Sequence, residues 1–125
     1  MISKILIADD EPHIRLLLGR ILEEFEDRGV EVLTANDGSE ALEIIEKEQP
    51  GLIFLDVMMP KIDGFEVCRK VKSDLGLGNI FIVMLTAKGQ ETDKKQGLEV
   101  GANTYITKPF DPDKIMQIVE QLLKK

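Results

Sequence analysis

Residues 52–55 read LIFL and residues 80–85 read IFIVML, two runs without a single polar side chain. A strand that is apolar at every position has no face to offer water. It must be covered on both sides, which is the condition of a parallel sheet with helices on each face. Three further runs, Ile5 to Ala8, Val32 to Ala35 and Tyr105 to Ile106, read as strands of the same sheet. Between the strands the period changes. Ile14, Leu17, Leu18, Ile21, Leu22 and Phe25 recur at steps of three and four, with Pro12 suited to a first helical turn. Helices also fit Ser39 to Lys47, Gly64 to Ser73, Gln90 to Val100 and Pro112 to Leu123, the last with Ile115, Ile118, Val119 and Leu122 on one stripe. A strand-helix unit repeated five times predicts an α/β, doubly wound parallel sheet of five strands with five helices. The linkers are short, and there is neither a low-complexity tract nor an internal sequence repeat, so residues 1–125 are expected to form one domain.

The composition, 43% hydrophobic and 31% charged, is that of a chain able to bury a core. A formal charge of -7 repels nucleic acid and anionic membrane surfaces, and no basic patch offsets it, so neither is an expected partner. The chain opens on a strand-like run without a basic leader, and no stretch approaches the roughly 20 apolar residues of a membrane span, which points to a cytoplasmic protein. Cys68 is the one cysteine and falls among Phe65, Val67 and Val71. It is expected to be a small buried residue, with neither a disulfide nor a cysteine-based metal cluster available.

In an open parallel sheet, side chains at the carboxyl ends of the strands converge on the crevice where the winding reverses. Asp9 and Asp10 follow the first strand, Asp56 the third and Thr86 the fourth, and Lys108 lies just past the fifth. Taken singly, Asp10 could cap a helix, Asp56 could begin a turn and Thr86 could bond a backbone amide. Taken together, three carboxylates in one crevice repel and raise one another's pKa unless a cation stands among them. Lys108 supplies one positive charge, and oxygen donors without His or Cys suit a hard divalent ion, Mg2+ rather than zinc. A carboxylate beside such an ion can attack phosphorus to give an aspartyl phosphate, with lysine and hydroxyl stabilising the phosphoryl oxygens. Asp56 stands alone at the end of the central apolar strand and is the expected nucleophile. The adjacent pair Asp9 and Asp10 is better arranged to hold the metal and its waters.

The motifs ILIADDE at 5–11, LDVMMPKIDGFEV at 55–67, MLTA at 84–87 and GANTYITKPF at 101–110 resemble, in order and spacing, those of response-regulator receiver domains, over essentially the whole chain. The resemblance implies a flavodoxin-like sheet of strand order 2-1-3-4-5 and a phosphoacceptor switch of a two-component or phosphorelay system rather than a turnover enzyme. It implies that Asp56 is phosphorylated by a histidine kinase or phosphotransfer protein, and that Asp10, Asp56 and the Met58 backbone carbonyl ligate Mg2+, with Asp9 acting mainly through water. Thr86 and Lys108 would contact the phosphoryl group, and Tyr105 would be the switch aromatic that moves inward when the threonine shifts. Lys108-Pro109 would be a cis peptide. The output protein or domain would be met through the fourth helix, the fifth strand and the fifth helix. Pro60, Gly64 and Ala87 fit the pattern, whereas Asn79 stands where the family places a proline and Gly97 falls inside the fourth helix. His13 has no transmitter context and is expected to have an exposed or flanking role.

Two other readings compete. A phosphohydrolase working through an aspartyl phosphate would resemble the dehalogenase-like enzymes, but those carry a second aspartate two residues after the nucleophile, where this chain has Met58. A receiver-shaped scaffold without phosphorylation would have little reason to present Asp10, Asp56, Thr86 and Lys108 together.

Overall fold

The computed structural model describes residues 2–87 and 100–124. Five parallel strands, β1 (Lys4–Ala8), β2 (Glu31–Ala35), β3 (Leu52–Asp56), β4 (Phe81–Ala87) and β5 (Thr104–Lys108), form one sheet in the order β2-β1-β3-β4-β5. The doubly wound architecture is the one the sequence pattern predicts, and the strand order is the one the resemblance implies. Five α-helical segments are described, α1 (Pro12–Ile21), the single turn α2 (Glu23–Glu26), α3 (Gly38–Glu48), α4 (Gly64–Arg69) and α5 (Pro112–Leu123), and a π-helical segment continues α4. The helix expected over Gln90 to Val100, with Gly97 in it, lies outside the described residues up to residue 99.

Strand periodicity divides the core into two layers. Leu6, Ala8, Ile53, Leu55, Ile82 and Met84 project to one face and pack with Ala41, Ile45, Val67 and Cys68 of α3 and α4. Ile5, Ile7, Leu52, Phe54, Val83 and Leu85 project to the other, against Ile14 and Leu18 of α1, Phe25 of α2, and Ile115 and Val119 of α5. Every residue of β3 is buried, as its uninterrupted apolar run requires. Each large side chain removed from water in this way contributes roughly 1.5–3 kcal/mol before chain entropy is subtracted.

The helices begin where their first residues demand. The Asp37 side chain accepts the Glu40 N–H at 2.8 Å and the Asp63 side chain accepts the Glu66 N–H at 2.9 Å, each satisfying an amide that has no partner within the helix. Pro12 and Pro112 stand in the first turns of α1 and α5, where a missing N–H costs nothing.

Two helices depart from the continuous periodicity of their sequences. Leu22, with φ -88° and ψ -1°, ends α1 before α2 begins, yet Leu22 and Phe25 stay buried on the same face. The expected helix from Gly64 to Ser73 changes at Lys70 into a π-helical segment, Lys70–Asp74. Its Lys72 Nζ donates to the Gly78 carbonyl at 3.1 Å and to Asn103 Oδ1 at 3.0 Å, tying this segment to the start of β5. Among the described residues no helix is long and apolar enough to cross a membrane.

Candidate functional site

Because all five strands run the same way, their carboxyl ends share one edge, and the winding reverses between β1 and β3, which are paired with Ala8 opposite Leu55. The next residues along these strands are Asp9 and Asp56. Asp56 lies opposite Leu85 of β4, Thr86 opposite Thr107, and Ala87 opposite Lys108. The register thus carries residues from four strands to one crevice.

Carboxylate oxygens of Asp9, Asp10 and Asp56 lie within 4.8 Å of one another. Asp9 and Asp56 are buried and Asp10 is exposed, so the cluster has a closed floor and an open rim. Lys108 Nζ stands 2.9 Å from Asp9 Oδ2 and 3.4 Å from Asp56 Oδ1. Asp56 Oδ1 also accepts the Met58 N–H at 3.2 Å, and Asp9 Oδ1 accepts the Glu11 N–H at 2.9 Å. The Lys108-Pro109 peptide is cis.

These surroundings shift the charges in opposite senses. Burial, and then the negative charge of Asp9, push the Asp56 carboxyl up to about 7, while Lys108 and the Met58 amide pull it down. Burial alone would lower the Lys108 ammonium, but Asp9, Asp56 and Glu11 outweigh it and raise its pKa. One lysine therefore does not neutralise the pocket.

The fit to a hard cation rests on Asp9. Its Oδ2 is fully buried and, although close to Lys108 Nζ, has no hydrogen-bond partner among the described residues. Lys108 supplies the one positive charge that faces it, against three carboxylates, so the pocket keeps an excess of negative charge. Three carboxylates, one with an unmatched oxygen, with an exposed rim that admits water, suit an oxygen-coordinated divalent ion.

Thr86 is buried on β4, and Tyr105 on β5 is half-buried. Tyr105 pairs with Met84 and packs into the layer that contains it, so Thr86 and Tyr105 occupy the same face of the sheet, one alternation apart. The Met58 side chain is exposed. His13 is also exposed, as expected, with Nε2 3.4 Å from Glu11 Oε2.

Arg15 has no signal in the sequence, whereas Gly64 belongs to the motif after β3, and the structure shows why glycine stands there. Arg15 donates from Nη1 to the Asp9 backbone carbonyl at 2.7 Å, holding the start of the β1 loop onto α1. Gly64 lets the chain after β3 fold back: a Cβ there would stand 2.2 Å from the Asp56 carbonyl oxygen, and its N–H bonds the Val57 carbonyl at 2.9 Å.

A family model described as the response regulator receiver domain matches residues 5–120. The alkaline phosphatase synthesis transcriptional regulatory protein PhoP of Bacillus subtilis (strain 168) is 47% identical over 125 residues, 100% of this chain and 50% of that protein. The DNA-binding dual master transcriptional regulator RpaA of Synechocystis is 43% identical over 122 residues, 98% of this chain and 49% of that protein. The chain spans about half the length of the curated relatives it matches. Among solved structures, the chemotaxis response regulator CheY4 of Vibrio cholerae superposes with a TM-score of 0.83 at 34% identity, covering 97% of this chain and 98% of that one.

Proposed function

The chain belongs to the response regulator receiver family, acting in phosphorylation-dependent two-component signalling, and we propose that Asp56 is its phosphoacceptor, with Mg2+ as the bound ion. The observation that carries this reading is the convergence at one sheet edge of a buried nucleophile, Asp56, with Lys108 at 3.4 Å and two further carboxylates within 4.8 Å. It is a switch rather than an enzyme that turns over an external substrate.

In the transfer, an Asp56 carboxylate oxygen bonds to phosphorus while the bond from phosphorus to the donor nitrogen breaks, and that nitrogen keeps the electron pair. The donor is the phosphohistidine of a histidine kinase or phosphotransfer protein. Lys108, already beside Asp56, faces the added negative charge, and the Thr86 hydroxyl donates to a phosphoryl oxygen. Asp10, Asp56 and the Met58 carbonyl would hold Mg2+, with Asp9 acting through water. When bound, the ion supplies positive charge that offsets the carboxylates and the phosphoryl oxygens. Thr86 then draws toward the phosphate, and Tyr105, on the same face, moves into the space released. The altered surface of β5 and α5 is read by an output protein or domain.

Acetyl phosphate with Mg2+ should add one phosphoryl group to the wild-type chain and none to Asp56→Asn, as read by intact-mass spectrometry. Equal labelling of the variant would place the acceptor elsewhere, and undiminished labelling in excess chelator would remove the divalent ion from the reading.

A further inference from the structure

Gly38, the first residue of α3, is remote in sequence from the carboxylates yet abuts the loop that follows β3. Its φ is not in the left-handed region, so its backbone conformation does not require glycine. Glycine in a helix costs on the order of 1 kcal/mol against alanine. What requires it is space. A Cβ on Gly38 would stand 1.9 Å from the Ile62 carbonyl oxygen and 2.8 Å from its carbonyl carbon, backbone atoms that cannot rotate aside.

The neighbouring residues tie the same contact. Asp37 Oδ2 lies 3.4 Å from Lys61 Nζ, and Lys61 holds φ +69°, uncommon for a residue with a Cβ. Across that residue the Ile62 N–H donates to the Pro60 carbonyl at 2.9 Å, closing a three-residue turn. Gly64 pins the other end of the loop against Asp56 and Val57. Residues 57–63 are thus gripped on both sides, and within them the Met58 N–H meets Asp56 Oδ1 at 3.2 Å.

We propose that Gly38 is a positioning residue for the phosphoryl site: the N-terminus of α3, bare of a side chain at this point, sets where the loop 57–63 lies and so where the Met58 backbone stands against Asp56. The consequence for phosphorylation rests on Asp56 being the acceptor, whereas the geometric part does not.

Gly38→Ala is compared with the wild type and with Gly19→Ala, a control on α1 where a Cβ meets nothing within 4 Å. Backbone amide NMR in chelator should show the Val57 and Met58 resonances displaced in Gly38→Ala and not in Gly19→Ala. Labelling by acetyl phosphate with Mg2+, measured at equal folded population, should fall about tenfold or more in maximal rate in Gly38→Ala, with the site still Asp56. A folded Gly38→Ala with unmoved Met58 resonances, or with the wild-type maximal rate, overturns the proposal, because a purely structural glycine would lower stability alone. Should Gly38→Ala not fold in buffer alone, the same amide comparison is made in an excluded osmolyte such as TMAO, which favours the compact state. Displacement of the Met58 amide there supports the proposal, and an unmoved amide overturns it. If the wild type is not labelled on Asp56 the phosphoacceptor reading fails, and the amide comparison still decides the role of Gly38.

Discussion

Lys108 is held closer to Asp9 than to Asp56: its Nζ is 2.9 Å from Asp9 Oδ2 and 3.4 Å from Asp56 Oδ1. The lysine side chain is 17% exposed and that of Asp9 is fully buried, so this pair lies in a medium where charge is weakly screened. The lysine thus serves the buried floor of the pocket as well as Asp56.

Lys108→Ala should therefore act in two ways. It leaves Asp9 and Asp56 without their shared cation, and without Mg2+ at pH 8 the domain should lose on the order of 1–3 kcal/mol in urea unfolding. Mg2+ should still bind, but beryllofluoride should produce smaller amide shifts around Thr86 and Tyr105 than in the wild type. Shifts of wild-type size would remove Lys108 from phosphoryl sensing.

Stability in the absence of divalent ions should fall as pH rises through neutrality. The Asp56 carboxyl sits at about 7 in the fold against 3.8 in an unperturbed chain, so between these values the folded state keeps a proton that the unfolded chain has lost. The contribution of this group is fully present below the lower value and is lost as pH passes the upper one. Between pH 5 and pH 8 in chelator it should amount to on the order of 1–3 kcal/mol. Asp56→Asn should flatten the profile over that range, and Mg2+ should stabilise the wild type more at pH 8 than at pH 5. Parallel profiles for wild type and variant would show that Asp56 does not carry the effect.

Thr86 and Tyr105 share a face of the sheet, and removing the hydroxyl should break the link between them. Thr86→Ala should still accept a phosphoryl group on Asp56, while the hydrogen-exchange changes that phosphorylation produces along β5 and α5 should be strongly reduced. A wild-type response in the labelled variant would sink the coupling and leave the acceptor assignment intact.

Cys68 should be chemically silent in the native protein. It is fully buried, and burial pushes its thiol up to about 11 against a smaller opposing pull from Lys72. A disulfide reagent at pH 8 should modify it at a rate set by unfolding, with one equivalent consumed at once in denaturant. Rapid modification of the folded chain would mean that the layer beneath α4 opens readily.

The sheet and the edge that carries the candidate site were legible in the sequence because both follow from short-range pattern. Apolar runs such as Leu52 to Leu55 mark a strand buried on both faces, and the polar residue that ends the run, Asp56, marks where the strand leaves the core. Parallel order then assigns Asp9, Asp10, Asp56, Thr86 and Lys108 to one edge without any distance being known. Tertiary structure decided what that pattern cannot encode: the division of Lys108 between Asp9 and Asp56, the unmatched Asp9 Oδ2, the break of α1 at Leu22 and the bare contact of Gly38 with Ile62. Each depends on how segments settle against one another to within less than an ångström, where steric repulsion and burial change steeply. A periodicity of two or of 3.6 residues locates a face, but it carries no information at that scale.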